Sequence, residues 1–140
     1  MKANKLTPNL EVRDIKNTVE FYTTKLGFKL VMAVPESQDG IDQELANDKA
    51  YVYALMQKDQ VELMFQRSDS FKEDVVFAKG LPIGASVSFY MEMEGIKELH
   101  AELSSQGLEV TELKMAWYGM REFYLKDLNG YLLGFGEKAE

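Results

Sequence analysis

The sequence predicts an α+β fold: two copies of one strand–helix–strand–strand–strand module within a single domain over residues 1–140. Three observations point there. Short apolar runs alternate with period two, as in half-buried strands; two segments switch to helical spacing; and each helical segment stops at a glycine. Those glycines, Gly27 and Gly107, lie 80 residues apart (107 − 27), the spacing of a duplicated unit. Module one is expected over 5–67, a linker over 68–84 and module two over 85–137.

In module one, Leu10 and Val12 alternate with polar neighbours and predict the first strand. Asp14 then stands at a helix N-cap position, ahead of Ile15, Val19, Tyr22 and Leu26, which share one face of a period-3.6 helix. Gly27 closes it. Strands follow at Lys29–Val34, Ala50–Met56 and Gln60–Gln66, the last two joined by a Lys58-Asp59 turn. Module two repeats the order. It has a strand through Val87, Phe89 and Met91, a helix carrying Ile96, Leu99 and Leu103, then strands at Leu108–Leu113, Arg121–Leu125 and Tyr131–Phe135. Asp127-Leu128-Asn129-Gly130 is the turn between the last two.

Composition narrows the function classes. There is no cysteine, which removes disulfides, thiolate metal sites and cysteine nucleophiles together. Sixteen Lys and Arg against 23 Asp and Glu leave a net charge of −7, and no basic cluster offers a nucleic acid its counter-charge. No apolar run approaches the roughly 20 residues of a membrane-crossing helix, and Met1-Lys2-Ala3-Asn4 opens no signal peptide. A cytoplasmic protein without nucleic-acid or membrane partners is expected. Acidic residues gather in the 35–48 loop, which is expected to be a solvated connection.

Alternation also assigns faces. Val61, Leu63 and Phe65, then Val87, Phe89 and Met91, then Phe123, Leu125, Leu133 and Phe135 are expected beneath the helices. The opposite face then carries Asn9, Glu62, Met64, Ser86, Ser88, Tyr90, Glu122, Tyr124 and Gly134. Carboxylates, hydroxyls, aromatic rings and a thioether suit the lining of a cleft for an organic molecule. They suit a plain solvent face equally well, and periodicity alone does not separate the two. The faces of Tyr51 and Tyr53 stay open for the same reason. The only histidine, His100, lies mid-helix without partner residues at ligand spacing, so it reads as structural.

The string Leu10-Glu11-Val12-Arg13-Asp14-Ile15, continued by Val19-Glu20-Phe21-Tyr22 and Leu26-Gly27-Phe28, resembles the opening of the vicinal oxygen chelate superfamily. That superfamily holds glyoxalase I, extradiol dioxygenases, fosfomycin-resistance enzymes and bleomycin-resistance proteins. The string Trp117-Tyr118-Gly119-Met120-Arg121-Glu122-Phe123, then Asp127, Gly130, Phe135 and Gly136, is most similar to the bleomycin-resistance branch, as is Pro8 ahead of the first strand.

The resemblance implies two βαβββ modules pairing into a curved mixed-sheet groove. It also implies a homodimer whose N-terminal arms exchange. Metal-dependent members take ligands at positions that fall here on Thr7, Glu62, Ser86 and Gly134. Only Glu62 is a strong ligand, whereas a catalytic ion needs about three groups from His, Asp and Glu. Neither metal nor cofactor is therefore expected, and no catalytic residue. Glu62 reads either as the remnant of a metal site or as the partner of a cationic ligand, and the two stand level.

The resemblance further implies that Trp117 and Tyr118 stack on flat rings of a ligand; the competing reading is a hydrophobic plug at a sheet edge. Arg121-Glu122 fits an ion pair between sheets or subunits. The expected function is metal-independent binding that sequesters a flat or cationic antibiotic-like molecule in a dimeric groove. Its candidate ligand-binding residues are Glu62, Met64, Ser88, Tyr90, Trp117, Tyr118 and Tyr124. The alternative is a metal-dependent glyoxalase-like lyase or extradiol dioxygenase.

Overall fold

A computed structural model describes residues 1–84 and 86–140. The expected start of module two at residue 85 lies outside the described residues. The chain divides into two compact units, Met1–Ile83 and Gly84–Glu140.

Unit one runs β1 (Asn9–Val12), α1 (Ile15–Leu26), β2 (Lys29–Pro35), β3 (Tyr51–Lys58), β4 (Val61–Arg67) and α2 (Ser68–Asp74), then a 3-10 turn at Val76–Ala78. Unit two runs β5 (Ser88–Glu92), α3 (Ile96–Ser105), β6 (Lys114–Met115), β7 (Met120–Lys126) and β8 (Leu132–Lys138). The sheets have orders β1-β4-β3-β2 and β5-β8-β7-β6, so one topology occurs twice. In each, the first strand pairs parallel with the last and the remaining pairs are antiparallel. This is the duplicated α+β plan that the glycine spacing predicts. Among the described residues no helix is long and apolar enough to cross a membrane.

Helix α1 starts and stops for local reasons. The Asp14 carboxylate accepts the Asn17 backbone N–H at 2.8 Å, and Gly27 takes φ 74°, the left-handed conformation that glycine adopts without steric cost. Its buried face is Ile15, Thr18, Val19, Tyr22 and Leu26. The wholly buried Tyr22 ring meets Phe28 at 5.6 Å and Phe65 at 4.8 Å, while Leu63, Met56 and Ala54 close the core under it. Each such large apolar side chain removed from water contributes about 1.5–3 kcal/mol.

Helix α3 has no side chain to cap it locally, because Gly95 stands at its N-cap. The Glu137 carboxylate at the far end of β8 supplies the acceptor instead, taking the Gly95 N–H at 3.1 Å and the Ile96 N–H at 3.2 Å. Ile96 and Leu103 are buried with Phe123, Leu125, Leu133 and Phe135, and the Phe123 and Phe135 rings lie 5.1 Å apart.

Three expectations change. The 68–84 segment is not a plain linker: Ser68 and Lys72 on α2 reach the buried Glu11 carboxylate at 2.5 and 2.9 Å, which ties the helix to the end of β1. Leu108–Leu113 is not a strand. Only Val110 bridges β7, at Leu125, and the paired strand β6 lies further on at Lys114–Met115. Val87 is not core but 49% exposed, since β5 begins at Ser88 and the outermost residue of the run stays outside the sheet.

Replacing Asp14 with alanine is expected to lower unfolding stability by about 1 kcal/mol, because one N-terminal amide loses its acceptor. Urea titration should show a lower midpoint at unchanged slope.

Candidate functional site

The open face of the unit-two sheet is built around two glycines on its inner strand β8. Gly134 is in register with Tyr90 on β5 and Tyr124 on β7, and Gly136 with Glu92 and Glu122. A Cβ added at Gly134 would lie 2.8 Å from the Tyr124 ring and 3.1 Å from the Tyr90 ring. One added at Gly136 would fall 1.9 Å from the Tyr90 hydroxyl oxygen. Two positions without side chains thus let two tyrosines lie down over the strand.

The hydroxyls then converge. Tyr90 donates to the Glu122 carboxylate at 2.7 Å and Tyr118 donates to it at 2.6 Å. Tyr118 sits in the β6–β7 hairpin turn, which Gly119 (φ 88°) allows to close through its N–H on the Ala116 carbonyl at 3.0 Å. Trp117 precedes it, edge-on to the Tyr118 ring at 5.4 Å and 84°. It is 95% exposed, so it plugs nothing within this unit.

The electrostatics follow from the shared carboxylate. The hydrogen bond to Glu122, then burial, hold the Tyr118 hydroxyl up to about 12. Burial first and the Glu122 bond second push Tyr90 upward as well. Both phenols stay protonated donors across the physiological range, and neither is poised as a base. Because the folded state favours their neutral form, the associated stability is intact below the ordinary tyrosine value of 10 and is lost as pH rises toward 12.

Of the sequence candidates, Tyr90, Tyr118, Tyr124 and Trp117 come together here. Ser88 lies two residues from Tyr90 on β5 and is exposed. Glu62 and Met64 lie on β4 of unit one, two residues apart and so on one face. Glu62 is ion-paired with Lys5, and Met64 is in register with Asn9 and Leu55. On the same strand, Gln66 accepts from Asn9 at 2.9 Å and lines a cavity of about 270 Å³ with Val34, Tyr53 and Ser70. Burial there raises the Tyr53 hydroxyl. His100 makes a structural contact: its Nε2 lies 2.9 Å from the Thr111 carbonyl and its ring is edge-on to Phe123.

Glu122 is the residue that sequence reasoning undervalued. Its place beside Arg121 fits an ion pair, yet its carboxylate takes two tyrosine hydroxyls. The available signal was its place beside Tyr124 in the alternation, opposite a glycine.

The donor set does not suit a catalytic metal. Of the four implied positions, Glu62 is engaged by Lys5, Gly134 is roofed by tyrosine rings, and Thr7 and Ser86 are weak ligands. No group of three His, Asp or Glu residues able to hold an ion occurs among the described residues.

The doubled β1-α1-β2-β3-β4 arrangement, with a polar and aromatic sheet face, defines a βαβββ-repeat protein of the glyoxalase type. Residues 6–135 match the family model of the Glyoxalase/Bleomycin resistance protein/Dioxygenase superfamily, and the chain belongs to that superfamily. It is 31% identical over 135 residues to a bleomycin resistance protein of Geobacillus stearothermophilus, covering 95% of this chain and 96% of that one. Among solved structures, it resembles a bleomycin-binding protein complexed with bleomycin (TM-score 0.61, 18% identity, 97% of this chain and 99% of that chain). It also resembles a protein of unknown function from Agrobacterium tumefaciens (TM-score 0.72, 18% identity, 99% and 96%).

Replacing Glu122 with glutamine is expected to move the Tyr118 ionisation from about 12 back toward 10. An alkaline titration of phenolate absorbance, compared with wild type, reads this directly.

Proposed function

We propose that this protein is a metal-independent binding protein of the bleomycin-resistance type, which sequesters a flat or cationic antibiotic-like molecule and makes or breaks no bond in it. The observation that carries the reading is the bare indole of Trp117. It is 95% exposed beside Tyr118, on a turn anchored through Glu122 to the sheet. An aromatic surface held in place but left uncovered loses little conformational freedom when a flat ring stacks on it. The likeness over 95% of the chain to a bleomycin resistance protein supports the same reading.

In this proposal Trp117, Tyr118, Tyr90 and Tyr124 supply aromatic contact and Ser88 orients polar groups of the ligand; on the unit-one face Glu62 is a carboxylate partner for a cationic group and Met64 an apolar contact. The groove forms across a homodimer, which also buries exposed sheet edges. Of the positions that hold metal ligands in metal-dependent members, only Glu62 carries a strong donor, and it is ion-paired with Lys5, which favours binding over metal-dependent lyase or ring-cleavage chemistry.

Calorimetric titration with metal-free bleomycin should give saturable heat with the wild-type protein. Trp117→Ala should weaken binding about tenfold through loss of stacking, with smaller losses in Tyr118→Ala and Glu62→Ala. Absence of heat would discard bleomycin as a ligand. Stoichiometric divalent metal in the purified protein, together with a lyase or ring-cleavage activity abolished by chelation, would overturn the proposal.

A further inference from the structure

Glu122 is a carboxylate among rings that forms no ion pair among the described residues. Its two hydrogen bonds come from neutral hydroxyls, Tyr90 at 2.7 Å and Tyr118 at 2.6 Å. Among the described residues no lysine, arginine or histidine forms an ion pair with it. Lys114, its register partner on β6, is exposed and leaves it unpaired. Glu122 itself is half-buried, and its neighbours Tyr90 and Tyr118 are exposed.

The surroundings fix what this patch accepts. Both tyrosine protons point inward to Glu122, so the hydroxyls turn lone pairs outward. The Tyr90 and Tyr124 rings lie over Gly134, where a side chain on β8 would otherwise separate them. Such a surface presents negative charge, oxygen lone pairs and the negative faces of aromatic rings, with the Tyr90 and Tyr118 hydroxyl protons turned inward. An anion meets the charge of Glu122, and a neutral flat molecule gains stacking alone. An organic cation gains ring-face attraction and the Glu122 carboxylate together.

We infer that Tyr90, Tyr118, Tyr124 and Glu122 form a recognition site for an organic cation of the alkylammonium class, with Glu122 as its specificity-determining residue. This rests on the sequestering function proposed above and narrows the ligand it takes. A compact, weakly hydrated cation suits the site better than a primary ammonium, because it sheds water at less cost and asks for no acceptor geometry beyond the rings.

The probes are choline and its uncharged isostere, in which a tert-butyl group replaces the trimethylammonium. Ligand-observed NMR titration follows the methyl signals of each. Wild type should bind choline about tenfold more tightly than the isostere, the scale of combined cation–π and carboxylate contacts. Glu122→Gln should reduce that preference to about twofold or less, while Tyr118→Phe, which keeps both ring and carboxylate, should retain it. Tyr124→Leu should weaken choline about fivefold through loss of one ring face. Equal affinity for the two probes, no binding of choline, or an undiminished preference in Glu122→Gln would each overturn the inference. Bleomycin calorimetry reads the parent proposal separately. Choline selectivity without bleomycin binding discards bleomycin as the ligand and leaves this inference standing, and bleomycin binding without choline selectivity sinks this inference alone.

Discussion

The open face of the second sheet depends on two missing side chains. Gly134 and Gly136 alternate on β8, flanked by β5 and β7, and the space they leave is what Tyr90 and Tyr124 occupy. Everything else at the site follows from that vacancy. A recumbent Tyr90 puts its hydroxyl within reach of Glu122; Glu122 then holds Tyr118; Tyr118 holds the hairpin turn that presents Trp117. A methyl group at residue 136 would displace the first member and leave the others without a common anchor. The cost of two glycines in a strand is an entropic one, and it is met by ring packing across the sheet.

The two modules share a topology and differ in how they secure it. Unit one caps its helix from within, by Asp14, and fastens α2 through the buried Glu11. Unit two leaves glycine at the equivalent cap and takes its acceptor from Glu137. The unit-one open face carries an ion pair at Glu62 and a polar cavity near Gln66, whereas the unit-two face carries rings around a carboxylate. Duplication supplied one backbone plan, and divergence put unlike chemistry on its two copies.

How much of this was legible in the sequence depends on the range of the interaction responsible. Helix α1 was fully readable, because Asp14, the apolar face and Gly27 act within a few residues of one another. The strands of both sheets other than β6, and most core positions, followed from alternation for the same reason. What escaped was long-range. Helix α2 forms where Ser68 and Lys72 meet Glu11, 57 residues upstream of Ser68, and nothing near 68–74 announces it. The 108–113 run alternates like a strand but finds a ladder partner only at Val110. At the site, Tyr90, Tyr124 and Glu122 were readable as face residues and Tyr118 through the family resemblance; the role of Glu122 as hub was not, because a carboxylate next to Arg121 looks like half of an ion pair until the tyrosine hydroxyls are seen on it.

The reach of Glu137 back to the first turn of α3 also orders events in time. A ribosome releases residues in sequence, and the acceptor for the Ile96 amide emerges 41 positions after that amide. The first unit holds its helix cap beside the helix from the outset. The second must wait, with α3 frayed at its leading turn, until the closing strand has cleared the exit tunnel. Nascent chains arrested short of residue 137 would therefore carry one finished module and one still open at that helix.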